Sequence, residues 1–233
     1  MIAKIKRLLS YRNSQSLIKY LRKQGIKIGD GCIFRRPFGV VIDIQRPSLI
    51  SIGNNVDMNK NFSIYTHDYS SGVFKNVYGT VLNSSGAVSI GNNIYFGANC
   101  TILKGVTIGD NCIIGAGSIV SHSIPANSVA VGNPCNVICT LDEYFHKREI
   151  KAFDEAIEYI KSINERYGRR PYLSEMREEF IYFVDKRNIN DYLPKMPIIN
   201  ELGHCYIQWL EKHKARFASF DEFIDFALNY EEQ

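Results

Sequence analysis

Few side chains in this 233-residue sequence are placed to move a proton, and His67 is the first to consider. It precedes Asp68 in a polar stretch rich in Gly and Ser that runs from Tyr65 to Ala87. A histidine near its unperturbed pKa of ~6.5 can take a proton from a hydroxyl at neutral pH and hand it on later. Asp68 can hold the ring in the required tautomer, or can simply be solvated. On its own, a lone histidine in a polar loop also reads as an ordinary surface residue. His122, His146, His204 and His213 lie elsewhere in the chain.

The six cysteines point away from redox and metal chemistry. Cys32, Cys100, Cys112, Cys135, Cys139 and Cys205 form no CxxC pair and no metal-type spacing with histidine. They read as reduced thiols, so neither a disulfide nor a metal site is expected.

The elements that must position His67 are written in a repeat. Ile90, Phe96, Ile102, Ile108, Ile114 and Val120 follow one another in steps of six. Glycine comes next at Gly91, Gly97, Gly109 and Gly115, and a second small or aliphatic series runs through Ile94, Cys100, Val106, Cys112 and Ser118. Ile52, Met58 and Ile64 keep the same step, and a fainter start lies at Ile28, Cys32 and Phe34. A period of six is neither helical nor a simple alternating strand. It fits one flat face of a triangular coil, three faces to a turn, with Gly and Asn at corners that need positive φ. Stacked coils then bury a continuous aliphatic column. Residues 65–87 break the step and are expected to leave the prism as a loop, the usual place for function in such a scaffold.

The rest of the chain reads as helix. Residues 1–25 form an N-terminal helical segment; the first 24 carry seven Lys/Arg and no acid. This basic face covers the first coil or meets anionic lipid at a membrane surface. After the β-helix of 26–139, residues 140–233 form a C-terminal helical region. One helix there ends before Gly168 and Pro171, a second starts at Ser174, a third covers about Ile199 to Lys212, and a last one is capped by Ser219. The fold class is therefore mainly β, a parallel β-helix flanked by helical segments. Residues 1–139 carry 14 Lys/Arg against 5 Asp/Glu, while 140–233 carry 14 against 19. The basic half suits an anionic ligand. No stretch approaches the ~20 apolar residues of a membrane span. Lys4, Lys6 and Arg7 interrupt any signal-peptide core, so a cytoplasmic protein is expected.

From Ile90 to Ile138 the sequence reads IGNNIYFGANCTILKGVTIGDNCIIGAGSIVSHSIPANSVAVGNPCNVI. This closely resembles the hexapeptide-repeat acetyltransferases of the maltose, galactoside and capsular-polysaccharide group. The resemblance implies a left-handed β-helix, an exception to the usual right-handed crossover, and a homotrimer. It also implies acetyl-CoA bound as co-substrate between neighbouring prisms. It places the catalytic base at His67, in the stretch Ile64-Tyr65-Thr66-His67-Asp68, with Asp68 and Tyr95 on the acceptor side. For acetyl-CoA it implies Ala98 and Ala116 against the pantetheine, then Ser121, His122 and Asn136. Ser121 and His122 stand where Thr-Lys is usual, and Asn136 and Cys139 where relatives carry basic residues. Lys104, Lys147 and Arg148 are the cations available to compensate. The implied reaction is O-acetylation of a sugar in surface-polysaccharide synthesis, with no nucleic-acid partner. N-acetylation of an amino sugar or a small antibiotic is the alternative, and a non-catalytic β-helix scaffold is the alternative from another class. Serine acetylation fits less well, because those enzymes place histidines where this chain has Gln45 and Lys104. A zinc enzyme on this fold needs a third histidine that the repeat lacks.

Overall fold

The structure is a computed structural model that describes residues 9–230. The chain divides into two compact units after His146.

The first unit opens with helix α1 (Ser14–Lys23), which buries Leu17, Ile18 and Leu21 and is capped by the Asn13 side chain. The part of the expected N-terminal helix before residue 9 lies outside the described residues. Short strands then wind round three faces. The first face holds β1 (Lys27–Ile28), β4 (Ile50–Ile52), β7 (Val88–Ile90) and β10 (Thr107–Ile108). The second holds β2 (Ile33–Phe34), β5 (Val56–Met58), β8 (Ile94–Phe96), β11 (Cys112–Ile114) and β13 (Ser128–Val131). The third holds β3 (Val41–Ile42), β6 (Ser63–Ile64), β9 (Thr101–Ile102) and β12 (Ile119–Val120). These strands pair in parallel, and the register lays Ile42, Ile64, Ile102 and Val120 over one another on the third face. The last strand, β14 (Asn136–Thr140), turns back antiparallel on β13 and closes the second face.

Every bulky residue of the six-residue series from Ile90 to Val120 is buried, as are Ile94, Cys100, Val106, Cys112 and Ser118. The inward cysteines are packing residues: all six are free thiols, and burial pushes Cys100 up to about 11.

Asparagine and glycine both take positive φ at the corners, the glycines at Gly31, Gly105 and Gly117. Positive φ falls at Asn55, Asn61, Asn93, Asn99, Asn111 and Asn127, each between 55° and 62°. Their side chains form ladders from coil to coil. Asn55 donates to Asn93 at 3.2 Å, Asn93 to Asn111 at 3.0 Å, Asn111 to Asn127 at 2.9 Å and Asn61 to Asn99 at 2.8 Å. The glycine after each bulky residue is needed for space and not for positive φ. A Cβ on Gly97 would lie 2.4 Å from the Ala116 backbone nitrogen of the next coil.

The second unit is helical. Helix α3 (Leu141–Tyr167) runs into it, followed by α4 (Ile189–Tyr192), α5 (Ile198–Leu202), α6 (Tyr206–Lys212) and α7 (Phe220–Asn229), the last capped by Ser219. The helix expected from Ser174 is instead two 3₁₀ turns, Leu173–Glu175 and Glu179–Tyr182. Met176, at φ −96° and ψ 55°, leaves the helical region and is fully buried with Phe180 and Phe183, so core packing overrides helical propensity. The helix expected over Ile199 to Lys212 breaks at Gly203, which has φ 53°.

Two stability measurements check this fold. Ile108 is 1% exposed, so Ile108→Ala should lose ~2–5 kcal/mol in chemical denaturation. Val41→Ala on an outer face should stay within ~0.5 kcal/mol. Asn111→Ala should destabilise more than Asn111→Gly. Both lose the ladder bonds, and only alanine adds the ~1–2 kcal/mol left-handed backbone penalty.

Candidate active site

The third face ends at a corner that all the coils share. The backbone of Asp43 donates to Ile64, Tyr65 to Ile102 and Leu103 to Val120, at 2.9–3.1 Å. Asp43, Tyr65, Leu103 and Ser121 therefore stack in successive coils, one strand spacing (roughly 4.8 Å) apart. The polar 65–87 segment leaves from this corner.

His67 sits where that segment departs, with its side chain 11% exposed. Its Nδ1 lies 2.5 Å from Oδ2 of Asp43, which is 5% exposed and belongs to the preceding coil. The same Oδ2 accepts from the Thr66 hydroxyl at 2.5 Å and from the Thr66 backbone at 3.3 Å, and Oδ1 accepts from the Gln45 backbone at 3.0 Å. Thr66 is fully buried. Burial alone would raise the Asp43 carboxyl, but the bonds from Thr66, Gln45 and His67 outweigh it and hold it below the usual carboxylate range. The stability this gives is present above that range and lost as pH falls through the lowered value. With Asp43 ionised, Nδ1 must carry the proton it donates. In the neutral tautomer that this bond selects, the electron pair lies on Nε2.

The carboxylate on His67 is thus Asp43 and not Asp68. Asp68 turns to Lys104, which binds it together with Ser84, and it also accepts from Ser70 and from the Ser84 hydroxyl at 2.8 Å. The Lys104 ammonium, then Ser70 and Ser84, hold the Asp68 carboxyl well below its usual range. Lys104 is therefore committed to the loop. The loop closes as a short antiparallel pair, His67 opposite Ser85, with the Gly86 backbone donating to Thr66 at 2.9 Å. It carries helix α2 (Ser71–Tyr78), which the irregular composition of 65–87 does not announce.

The aromatic ring beside His67 is Tyr69, edge-on with centroids 5.3 Å apart. Tyr95 stands in register with Asp57 and Ile113 on the second face, which lies opposite this corner in a three-sided coil. Within one chain the two do not meet. Ala98 and Ala116 lie in register at the corner between the second and third faces, while Ser121 and His122 lie at the His67 corner. The two groups flank the third face. Asn136 lies on β14 and donates to the Pro134 carbonyl at 3.0 Å. Among the described residues, no three metal-ligating side chains come together. No helix there is long and apolar enough to cross a membrane.

Asp43 is the residue that the sequence reading missed. Its signal was present: it follows Ile42, the inward residue one coil before Ile64, so the stacking places it beneath the approach to His67.

Comparison with known proteins agrees with this architecture. The hexapeptide repeat of succinyl-transferase matches residues 87–122. Galactoside O-acetyltransferase of Escherichia coli (strain K12) is 48% identical over 67 residues, 28% of this chain and 33% of that protein. The chain thus spans about a third of that relative's length. A maltose O-acetyltransferase from Clostridium difficile 630 is similar in structure, with 28% identity, 59% of this chain and 83% of that chain covered, and a TM-score of 0.42. Protein CapG of Staphylococcus aureus is 34% identical over 176 residues, 74% of this chain and 90% of CapG. That extent of identity, on a stacked six-residue repeat, makes this chain a member of the hexapeptide-repeat acetyltransferases, a family of acyl-CoA-dependent O-acetyltransferases.

Proposed function

We propose that this chain moves an acetyl group from acetyl-CoA to a sugar hydroxyl in the synthesis of a surface polysaccharide, with His67 as general base. The observation that carries the reading is the Asp43–His67 pair, a buried carboxylate on Nδ1 that leaves Nε2 as the proton acceptor. Nε2 takes the proton of the acceptor hydroxyl as its oxygen attacks. Asp43 steadies the imidazolium that results, and His67 then returns the proton to the departing thiolate. Acetyl-CoA supplies the activated acetyl thioester. The small corner residues Ala98 and Ala116, and Ser121 and His122 at the other edge of the third face, are the groups that would hold it. Asn136, on the closing strand, is assigned to its nucleotide end.

In this reading the coil is left-handed, as the resemblance implies, and the active form is a homotrimer in which a second prism supplies the other wall of the acetyl-CoA groove. The chain is read as a 1–25 helical segment, a 26–139 β-helix and a 140–233 helical region, and the enzyme acts in the cytoplasm, where acetyl-CoA is made. Support comes from galactoside O-acetyltransferase, whose name gives a sugar as its substrate.

Three measurements test this. His67→Ala should lower kcat ~10²–10⁴-fold while acetyl-CoA still binds. A near-normal kcat would move the role to another residue. Asp43→Asn should lower kcat at least ~10-fold with little change in acetyl-CoA affinity, because an amide can present the wrong hydrogen-bonding group to Nδ1. Sedimentation equilibrium should give a trimer, and a fully active monomer would refute the shared groove.

A further inference from the structure

We propose that Arg46 selects the acceptor by pairing with the carboxylate of an acidic sugar, whose ring lies on Tyr69. This rests on reading the His67 corner as the acetyl-transfer site, and it names the class of sugar received there.

Arg46 is built into that corner. It follows Gln45, whose backbone donates to Asp43, the carboxylate that holds His67. Arg46 as a whole is partly buried, and among the described residues it makes one hydrogen bond, an exposed one from Nη1 to Oδ1 of Asn83 at 3.2 Å. That partner is neutral. Asn83 in turn donates through Nδ2 to Ser85 at 3.1 Å, and Ser85 lies opposite His67 across the base of the loop. A short relay of fixed groups therefore ties the Arg46 guanidinium to the reacting end of the site.

The charges around it are unequal in their commitments. Asp43 is filled by four donors, and Asp68 is held by Lys104, Ser70 and Ser84. Of Arg46, Asp68 and Lys104, Arg46 alone has no opposite charge bonded to it among the described residues. A guanidinium held by one neutral amide keeps its charge and most of its N–H groups available to an arriving anion. A planar guanidinium with several free N–H groups matches a carboxylate in a two-point pairing. Tyr69 supplies the other half of the site. It is 75% exposed, stands edge-on to His67, and its hydroxyl donates to Oε1 of Gln45 at 3.3 Å. An exposed ring held in place beside the base is a surface on which the C–H face of a pyranose can lie. Stacking there, with the carboxylate on Arg46, would present a ring hydroxyl to Nε2. Uronic and nonulosonic acids have this combination.

The test uses the whole protein, with methyl glycosides of glucuronate, galacturonate and N-acetylneuraminate set against methyl glucoside and galactoside, and with UDP-glucose as a neutral sugar that carries phosphate. Binding is read by calorimetry and acetylation by mass spectrometry. Wild type should prefer at least one acidic glycoside over its neutral counterpart. Arg46→Gln should raise KM for that acid about 10- to 100-fold, far more than for the neutral sugar, and leave KM for acetyl-CoA in the wild-type range. Asn83→Ala, which removes the loop bond and keeps the charge, should retain the preference. Equal or better use of neutral sugars, a preference for UDP-glucose, an effect of Arg46→Gln on acetyl-CoA, or loss of the preference in Asn83→Ala would each overturn the proposal. If acids bind through Arg46 but no sugar is acetylated, the transfer reading fails and the assignment of Arg46 stands. If neutral sugars are acetylated and acids are not preferred, the reverse holds. If no glycoside binds, both fail.

Discussion

Stacked coils have to keep register. A slip of one residue between two coils would turn Ile64 or Ile102 from the core to the outer face, together with every neighbour on that strand. The aliphatic column enforces the register through burial, the glycines let successive backbones approach, and the asparagine ladders pin the corners. Gly97 illustrates how tight the constraint is, since even a methyl group there would overlap the Ala116 backbone of the next coil. Each turn therefore depends on the turn below it, and a side chain at a corner has neighbours fixed in advance.

The site follows from that constraint. Asp43 and Thr66 meet because Ile42 and Ile64 are stacked, and the buried Thr66 hydroxyl then fills one side of the Asp43 carboxylate. Only one direction remains for His67. The electrostatics are sorted in the same way, into a buried carboxylate that serves the imidazole and an exposed one that serves the loop. Lys104 and Asp68 fasten the loop to the coil above, whereas Asp43 fastens the His67 ring to the coil below.

Much of this was legible in the residues. The six-residue step gave the faces, the inward column and the place where the chain departs, because periodic burial is a strong signal over many turns. His67 was legible for the same reason, as a titratable group at the exit from a repeat. Asp43 was not singled out, since its partner lies 24 positions away and only the stacking joins them. The adjacent Asp68 was read either as the partner of His67 or as solvated, and its neighbours across the corner are Lys104 and Ser84. Tyr95 was read on the acceptor side from its motif; within one chain it lies on the face opposite the His67 corner, and Tyr69 is the ring that stands beside the imidazole. In the second unit, aromatic packing around Phe180 and Phe183 decided between α-helix and 3₁₀ turns, a choice that depends on tertiary contacts.

The way the 65–87 segment begins and ends has a consequence of its own. It leaves and rejoins the prism at one corner, with Thr66 and Gly86 bonded to each other across its base. The coils on either side stack as though nothing had been inserted: Ile64 lies under Ile102, and Ile52 under Ile90. The segment is therefore a cassette on a hinge-free mount. Its length and contents can change at a closure cost that grows only with the logarithm of loop size, leaving the core as it was. A scaffold of this kind can exchange one surface excursion without having to refold the coils on either side of it.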